Sequence, residues 1–359
     1  MTAALWGAAL LWALVFIYGI AGSVDFGAGF WAMVFYREKD AKAATIANRY
    51  LSPLWEVTNV FLVLFAVSLV GLFPTAAYVL GNILLVPGNL ILILLTLRTV
   101  FMVYAHTVDR YQKPLRVVSG VTGLLIPALL MTVLPIAQGN FLQNVGGRLT
   151  LRLGHLFTSP LVYAYVLLGL ISELFLSAML LADYARVAKD RSAYSIYRKY
   201  ALWLGPLNMI CALIALFSIG GAAPWLERSM LTQWPWFLAS GLFFILGYGL
   251  SLSSGSGYSS SESGSRSDSA SRDKRLPRRF RLAVISHVVQ YALAMAGYGR
   301  AHLPYLVYPA VTIQDSFTNS EMFRAVVVVL VIGVAVLFPG FVWFWRLFLE
   351  NDTYASKPE

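Results

Sequence analysis

Apolar runs of eighteen residues or more recur along the whole length of this 359-residue chain, and nothing else constrains its fold as strongly. Coiled at about 1.5 Å per residue, such a run spans the hydrocarbon core of a bilayer, roughly 30 Å thick. Lipid offers no partner for backbone N–H and C=O groups, so a crossing segment must satisfy them internally. The runs are continuous and do not alternate with polar residues, which makes them helices. Charged residues are only 12% of the chain, against about a quarter in a soluble domain. The fold class that follows is all-α, a polytopic transmembrane helix bundle forming a single membrane domain over 1–359.

Hydropathy places nine helices near 4–34, 54–73, 77–106, 116–137, 157–184, 200–220, 233–253, 282–300 and 322–348. The net charge of +10 belongs to their connections and not to a nucleic-acid face. Lys and Arg number four, three, five, seven and two after helices one, three, five, seven and nine, and only four on the opposite side. Basic loops stay cytoplasmic, so the N-terminus is expected outside and the C-terminus cytoplasmic. No basic region precedes the first apolar run, so that run is expected to be retained as a helix and not cleaved as a signal peptide.

The connection over 253–281 stands apart. Its Ser/Gly-rich first half has too little apolar surface to offset chain entropy and is expected to be disordered. Its second half carries Arg272, Lys274, Arg275, Arg278, Arg279 and Arg281. That cluster reads as a stop-transfer segment against anionic lipid, or as a docking site for a partner.

A charge inside the hydrocarbon costs several kcal/mol, so intramembrane ionisable groups face protein or water and mark function. Few occur here: Asp25 in helix one, Glu56 at the start of helix two, Arg98 in helix three and Glu173 in helix five. Depth counted at about 1.5 Å per residue puts Asp25, Glu56 and Arg98 near the inner edge of the core, with Glu173 closer to mid-membrane. Asn59, one turn past Glu56, is placed to hold a bridging water. Carboxylates near one face suit proton uptake from the cytoplasm. Each also has a structural reading. Behind Ser52 and Pro53, Glu56 would complement a helix dipole in the first turn. Asp25 and Arg98 would lock helix one to helix three as an ion pair. Gly22 and Gly29 share a face with Asp25 and let a second helix approach closely.

Other chemistry is thinly provided. Cys211 is the sole cysteine, so no disulfide within the chain and no thiolate metal site can form. The four histidines, His106, His155, His287 and His302, have neither i,i+4 spacing nor carboxylate company. Bis-His haem ligation is open only to the inner pair, His106 and His287, or the outer pair, His155 and His302, all near helix ends. No nucleotide loop and no nucleophile with a base are present. The outer loop 299–321 is rich in aromatics and Pro, and Asp315, Ser316 and Asn319 read as helix-start or turn signals.

Three groups of residues carry a resemblance. They are Gly22-Ser-Val-Asp25-Phe-Gly27-Ala-Gly29, then Asn48-Arg49-Tyr-Leu-Ser52-Pro53-Leu-Trp55-Glu56-Val-Thr-Asn59 with Arg98, and the late stretch Gly297 to Pro309 with Thr312-Ile-Gln-Asp315-Ser-Phe-Thr. Together they resemble subunit II of the cytochrome bd-type quinol oxidases. Helices one to three and eight to nine carry the likeness, while the middle third matches by hydropathy alone. Better-known members have Asp where Glu56 stands. The resemblance implies a non-haem subunit in the cell membrane. It would support assembly and deliver protons to chemistry in which quinol is oxidised and oxygen reduced to water. Haem b and haem d are then expected in the larger partner, subunit I. No catalytic, cofactor-binding or metal residue is expected on this chain. A small single-helix subunit and membrane lipid are further partners the family allows, and nucleic acid is not one. A proton-coupled secondary transporter is the alternative from another class, but transporters place broken helices in matching halves around a midplane site. The acids here gather toward one face.

Overall fold

The computed structural model describes the backbone of residues 3–35, 41–105, 112–254 and 266–350. Within those segments, side chains are undescribed at 41, 48–57, 103–105, 112, 113, 115, 266–278, 337, 338 and 340–350. The helices in chain order are α1 (Ala3–Val34), α2 (Ala41–Leu72), α3 (Pro74–Ile83), α4 (Leu85–Ala105), α5 (Gln112–Met131), α6 (Val133–Ala137), α7 (Leu153–Thr158), α8 (Pro160–Val187), α9 (Arg191–Ala222), α10 (Pro224–Thr232), α11 (Trp234–Ser253), α12 (Arg266–His302), α13 (Ile313–Ser316) and α14 (Ser320–Glu350). Seven stretches of the described residues are long and apolar enough to cross a membrane, in α1, α4, α5 with α6, α8, α9, α11 and α12. Helices α2 and α14 lie over two more of the expected segments.

Prolines explain the interruptions. Pro87 and Pro135 have no N–H to give the carbonyls four residues earlier, at Ile83 and Met131, and the helices are interrupted there. The single span expected over 77–106 is therefore α3 followed by α4. Pro206 lies inside α9 and frees the Leu202 carbonyl, which accepts a hydrogen bond from the Tyr248 hydroxyl at 3.0 Å. A neighbouring helix thus satisfies the group the proline releases.

Two apolar clusters fix the two ends. At one end Trp31, Phe35, Ala43, Ala47, Tyr194, Tyr197 and Phe280 pack together. At the other, Ala4, Ala8, Phe73, Phe141, Val307 and Ile313 do so. The start of α1, the α2–α3 junction and the late loop therefore share one end. The end of α1, the start of α2 and the α8–α9 connection share the other, where Lys42, Arg186, Lys189, Arg191, Arg198 and Lys199 lie.

Two short hairpins cap the less basic end. Strands β1 (Leu142–Val145) and β2 (Arg148–Leu151) pair antiparallel across Gly146 and Gly147, whose φ of +60° and +79° suit a primed two-residue turn. Strands β3 (Tyr305–Val307) and β4 (Val311–Thr312) form the second. Asn319 caps α14, accepting from the Met322 amide at 2.7 Å, and Thr312 caps α13, accepting from the Asp315 amide at 3.2 Å. The cap of α13 is thus Thr312, and Asp315 returns the contact by accepting from the Thr312 hydroxyl at 2.6 Å.

Two expectations are corrected. Helix α2 begins at Ala41, not near residue 54, so Pro53 and Glu56 lie well inside it. Tertiary packing extends it: Ala43, Ala44 and Ala47 are buried, and Tyr197 donates to the Ala43 carbonyl at 2.7 Å. The basic half of the 253–281 connection is the first part of α12 and not a loop. Its Arg, Lys and Leu residues favour helix once the membrane segment has nucleated it, against the Ser residues and Pro277 of the same stretch. The Ser-rich half falls at 255–265, outside the described residues.

Candidate functional site

Four helices converge on one buried ionic group. Asp25 stands on α1, nine residues from its end at Val34, so about 14 Å from the basic end of that helix. Arg98 of α4 reaches it. Its Nη2 donates to Asp25 Oδ1 at 3.0 Å and to the Asp25 carbonyl at 2.9 Å, while Nη1 donates to the Ser119 carbonyl of α5 at 2.7 Å. The guanidinium also lies 5.1 Å from the centre of the Phe26 ring. Asp25 and Arg98 are each 3% exposed. The ion pair read as one alternative from the sequence is therefore formed.

Glycines make this approach possible. A Cβ at Gly29 would lie 2.8 Å from Ser119 Oγ and 3.2 Å from Arg98 Nη1, and one at Gly123 would lie 2.6 Å from the Phe26 carbonyl. At Gly27 a Cβ would overlap Ser177 of α8. Hence α1, α5 and α8 pack backbone to backbone around the guanidinium. Gly22 faces Thr58 of α2 at ordinary contact distance, with a Cβ there 3.9 Å from Thr58 Cγ2.

Glu173 completes the group. It is 2% exposed, and its backbone carbonyl lies 3.4 Å from a Cβ placed on Gly27. Side chains on a helix lean toward its N-terminus, so the carboxyl leans back from Gly27 toward the level of Asp25. Close packing of α8 on Gly27 brings Glu173 near the level of Asp25 in the bundle. Arg98 and Asp25 are both near enough to act on its charge. Neither Glu173 oxygen has a hydrogen-bond partner among the described residues. The same holds for Arg98 Nε, Ser119 Oγ and Tyr18 Oη. Buried polar atoms in such number are sites for ordered water.

The two other candidates stand differently. The side chain of Glu56 lies outside the described residues. Its backbone is two residues inward of Thr58, and Thr58 faces Gly22, so Glu56 sits on α2 within about 2 Å of the level of Asp25. Position inside α2 removes the first-turn dipole role. Asn59 is half-buried, and among the described residues no hydrogen bond joins it to Asp25, Arg98 or Glu173. Sequence reasoning overlooked three contributors. Tyr18 precedes Asp25 by seven residues on the same face of α1. Ser177 follows Glu173 by one turn and accepts from Trp31 Nε1 at 3.0 Å. Ser119 lends the carbonyl that holds Arg98. Heptad spacing was legible for Tyr18 and i,i+4 spacing for Ser177; nothing local marked Ser119.

The described histidines differ in their surroundings. His287 is fully buried between Phe175 and Phe244, with ring centroids 4.8 and 5.5 Å away, and a Cβ on Gly247 would come within 2.9 Å of its Nε2. No macrocycle enters that space. His302 Nδ1 bonds the Tyr305 carbonyl at 2.9 Å and its ring packs on Trp225. His155 is exposed on α7, and His106 lies outside the described residues. Among the described residues no three His, Cys, Asp or Glu side chains gather as metal ligands.

Residues 3–348 match the family described as cytochrome bd terminal oxidase subunit II. A Bacillus subtilis (strain 168) protein, named provisionally as a cytochrome bd menaquinol oxidase subunit II, is 39% identical over 359 residues, 100% of this chain and 99% of its own. A chain in the solved structure of bd oxidase from Geobacillus thermodenitrificans is similar with a TM-score of 0.79 at 36% identity, covering 98% of this chain and 100% of that one.

Proposed function

The chain belongs to the cytochrome bd terminal oxidase subunit II family, and from that premise we propose that it holds and passes protons for the assembled enzyme through the Asp25–Arg98–Glu173 group. Membership makes it a multi-pass cell-membrane subunit of a quinol-oxidising oxidoreductase complex, with subunit I as its partner, and leaves the transporter alternative unsupported. In this reading haem b and haem d sit in subunit I, which is where quinol is oxidised and oxygen is reduced to water. His287, closed in by Phe175, Phe244 and Gly247, has no room for one of them here. The large apolar faces of α2, α9 and α14, such as Val63, Phe217 and Val329, are then covered by partner or lipid and support assembly.

The observation that carries the proton reading is the imbalance of charge. Two buried carboxyls stand near one guanidinium, and a buried site of low dielectric disfavours a net charge. One proton on the acid pair restores neutrality, and the pair can release or take up that proton while Arg98 stays fixed by three hydrogen bonds. Water on the unpartnered atoms of Glu173, Ser119 and Tyr18 would carry it onward. The group stands nearer the basic end, which the positive-inside rule makes cytoplasmic. Glu56, level with Asp25 on α2, is the entry carboxylate in this scheme.

Glu173→Gln keeps the shape and removes the titrating oxygen. Measured in the purified complex, quinol-driven oxygen consumption should fall about ten-fold or more, a step within the range a general acid–base group supplies, while haem content and assembly stay as in the parent. Unchanged turnover with unchanged assembly would reduce Glu173 to a packing role and remove the reading.

A further inference from the structure

At the opposite end of the bundle a second polar group is buried, without charges. Trp225 of α10 stacks on Tyr308, with ring centroids 4.2 Å apart and an interplanar angle of 13°. It also meets His302, the last residue of α12, edge-on at 5.3 Å. Tyr298, one turn earlier on α12, lies 5.9 Å from the His302 ring. Gln138, just past α6, donates through Nε2 to Tyr165 Oη at 2.8 Å and to Tyr298 Oη at 3.1 Å. Gln138 and His302 are 0% and 5% exposed. Among these neighbouring side chains three buried atoms have no hydrogen-bond partner among the described residues: Trp225 Nε1, His302 Nε2 and Gln138 Oε1.

Their chemistry specifies what they take. An indole N–H only donates. The Tyr305 carbonyl only accepts, so the proton of neutral His302 sits on Nδ1 and Nε2 presents a lone pair. With its Nε2 engaged by the two tyrosines, Gln138 presents its carbonyl oxygen. The complement must accept one hydrogen bond and donate two. A ketone-type carbonyl donates none, an anion repels both acceptors, and a cation cannot accept from the indole. Water matches all three, and such sites with two to four polar partners are where buried water is found.

We propose that Trp225, His302 and Gln138 form a water-binding site at the less basic end of the chain, distinct from the acid–arginine group. Helix α8 shows how the two are kept apart. Tyr165, Gly169 and Glu173 follow one another at single-turn spacing, and Met131 of α5 fills the notch at Gly169 so closely that a Cβ there would overlap it. Met131 also packs on the cluster that contains Tyr165. An apolar side chain thus stands between the water site and Glu173.

A density map of the intact oxidase at a resolution that shows ordered water tests this directly. The expected result is a water within hydrogen-bonding distance of both Trp225 Nε1 and His302 Nε2, retained in the parent and lost in Trp225→Phe with the surrounding backbone unmoved. A lipid, an organic molecule or a partner side chain seated there would overturn the proposal. So would a dry contact in which the indole N–H meets a protein acceptor. Should Trp225→Phe fail to assemble, the parent map alone decides the question.

Discussion

Charge counting at the acid–arginine group makes a prediction about non-additivity. Arg98→Met removes the lone described cation and its hydrogen bonds of 2.7, 2.9 and 3.0 Å, leaving two buried carboxyls. Removing one partner of a buried pair costs about 3–5 kcal/mol. Asp25→Asn is milder. The backbone carbonyl and an amide oxygen still accept from Arg98, and Glu173 still balances its charge. The loss is the difference between a charged and a neutral acceptor, about 1 kcal/mol. Glu173→Gln leaves Asp25 and Arg98 paired and should cost about as little. Asp25→Asn with Glu173→Gln strands the guanidinium and should cost about 3–5 kcal/mol, more than the two single changes together by about 1–3 kcal/mol. Unfolding of each purified complex in one detergent, with the haem spectrum as the assembly control, measures all four. Additive losses, or an Asp25→Asn loss equal to that of Arg98→Met, would refute the balance argument. Repeating the series with Glu56→Gln decides whether a third carboxylate shares it.

Three further outcomes follow from named contacts. Glu56→Gln should lower oxygen-reducing turnover while haem content stays constant; unchanged turnover would take Glu56 out of the route. Tyr197→Phe removes the hydrogen bond from α9 to the Ala43 carbonyl inside a fully buried cluster and should cost about 1 kcal/mol in the same unfolding assay. Gly169→Ala drives a methyl into Met131 and should cost about 1–3 kcal/mol. An alanine there that stabilises the protein would show that α5 and α8 are less tightly packed than described.

What could be read from the residues, and what could not, divides along physical lines. Hydropathy reaches the membrane helices because it depends only on transfer energies, which are local. The Asp25–Arg98 pair was within reach because few charges lie in the membrane, so each has few possible partners. The start of α2 was not. Ser52-Pro53 with an acid behind it reads as a helix opening, yet Ala43, Ala44 and Ala47 are small enough to seat an earlier turn against Trp31 and Tyr197, and that contact overrides the proline. The breaks at Leu84 and Thr132 were legible in Pro87 and Pro135 but hidden by a uniform apolar background. The register of Glu173 against Asp25 was out of reach because counting along one helix says nothing of how a neighbour is shifted against it. Only the fit of α8 on Gly27 sets that register.

The glycines of α1 are where packing and chemistry meet, and two of them can be set against each other. A Cβ at Gly19 meets nothing within 4 Å, so Gly19→Ala should gain the ordinary helix preference, up to about 1 kcal/mol. A Cβ at Gly29 comes within 2.8 Å of Ser119 Oγ, 3.1 Å of the Ser119 carbonyl and 3.2 Å of Arg98 Nη1. The same change there must push α5 away and disturb the carbonyl that holds the guanidinium. Stability should fall by about 1–3 kcal/mol. If Arg98 positions the acid pair, turnover should fall further than the share of enzyme left assembled. Gly29→Ala with full turnover per assembled complex would mean that the placement of Arg98 is tolerant, and the proton role would then have to rest on the carboxylates alone.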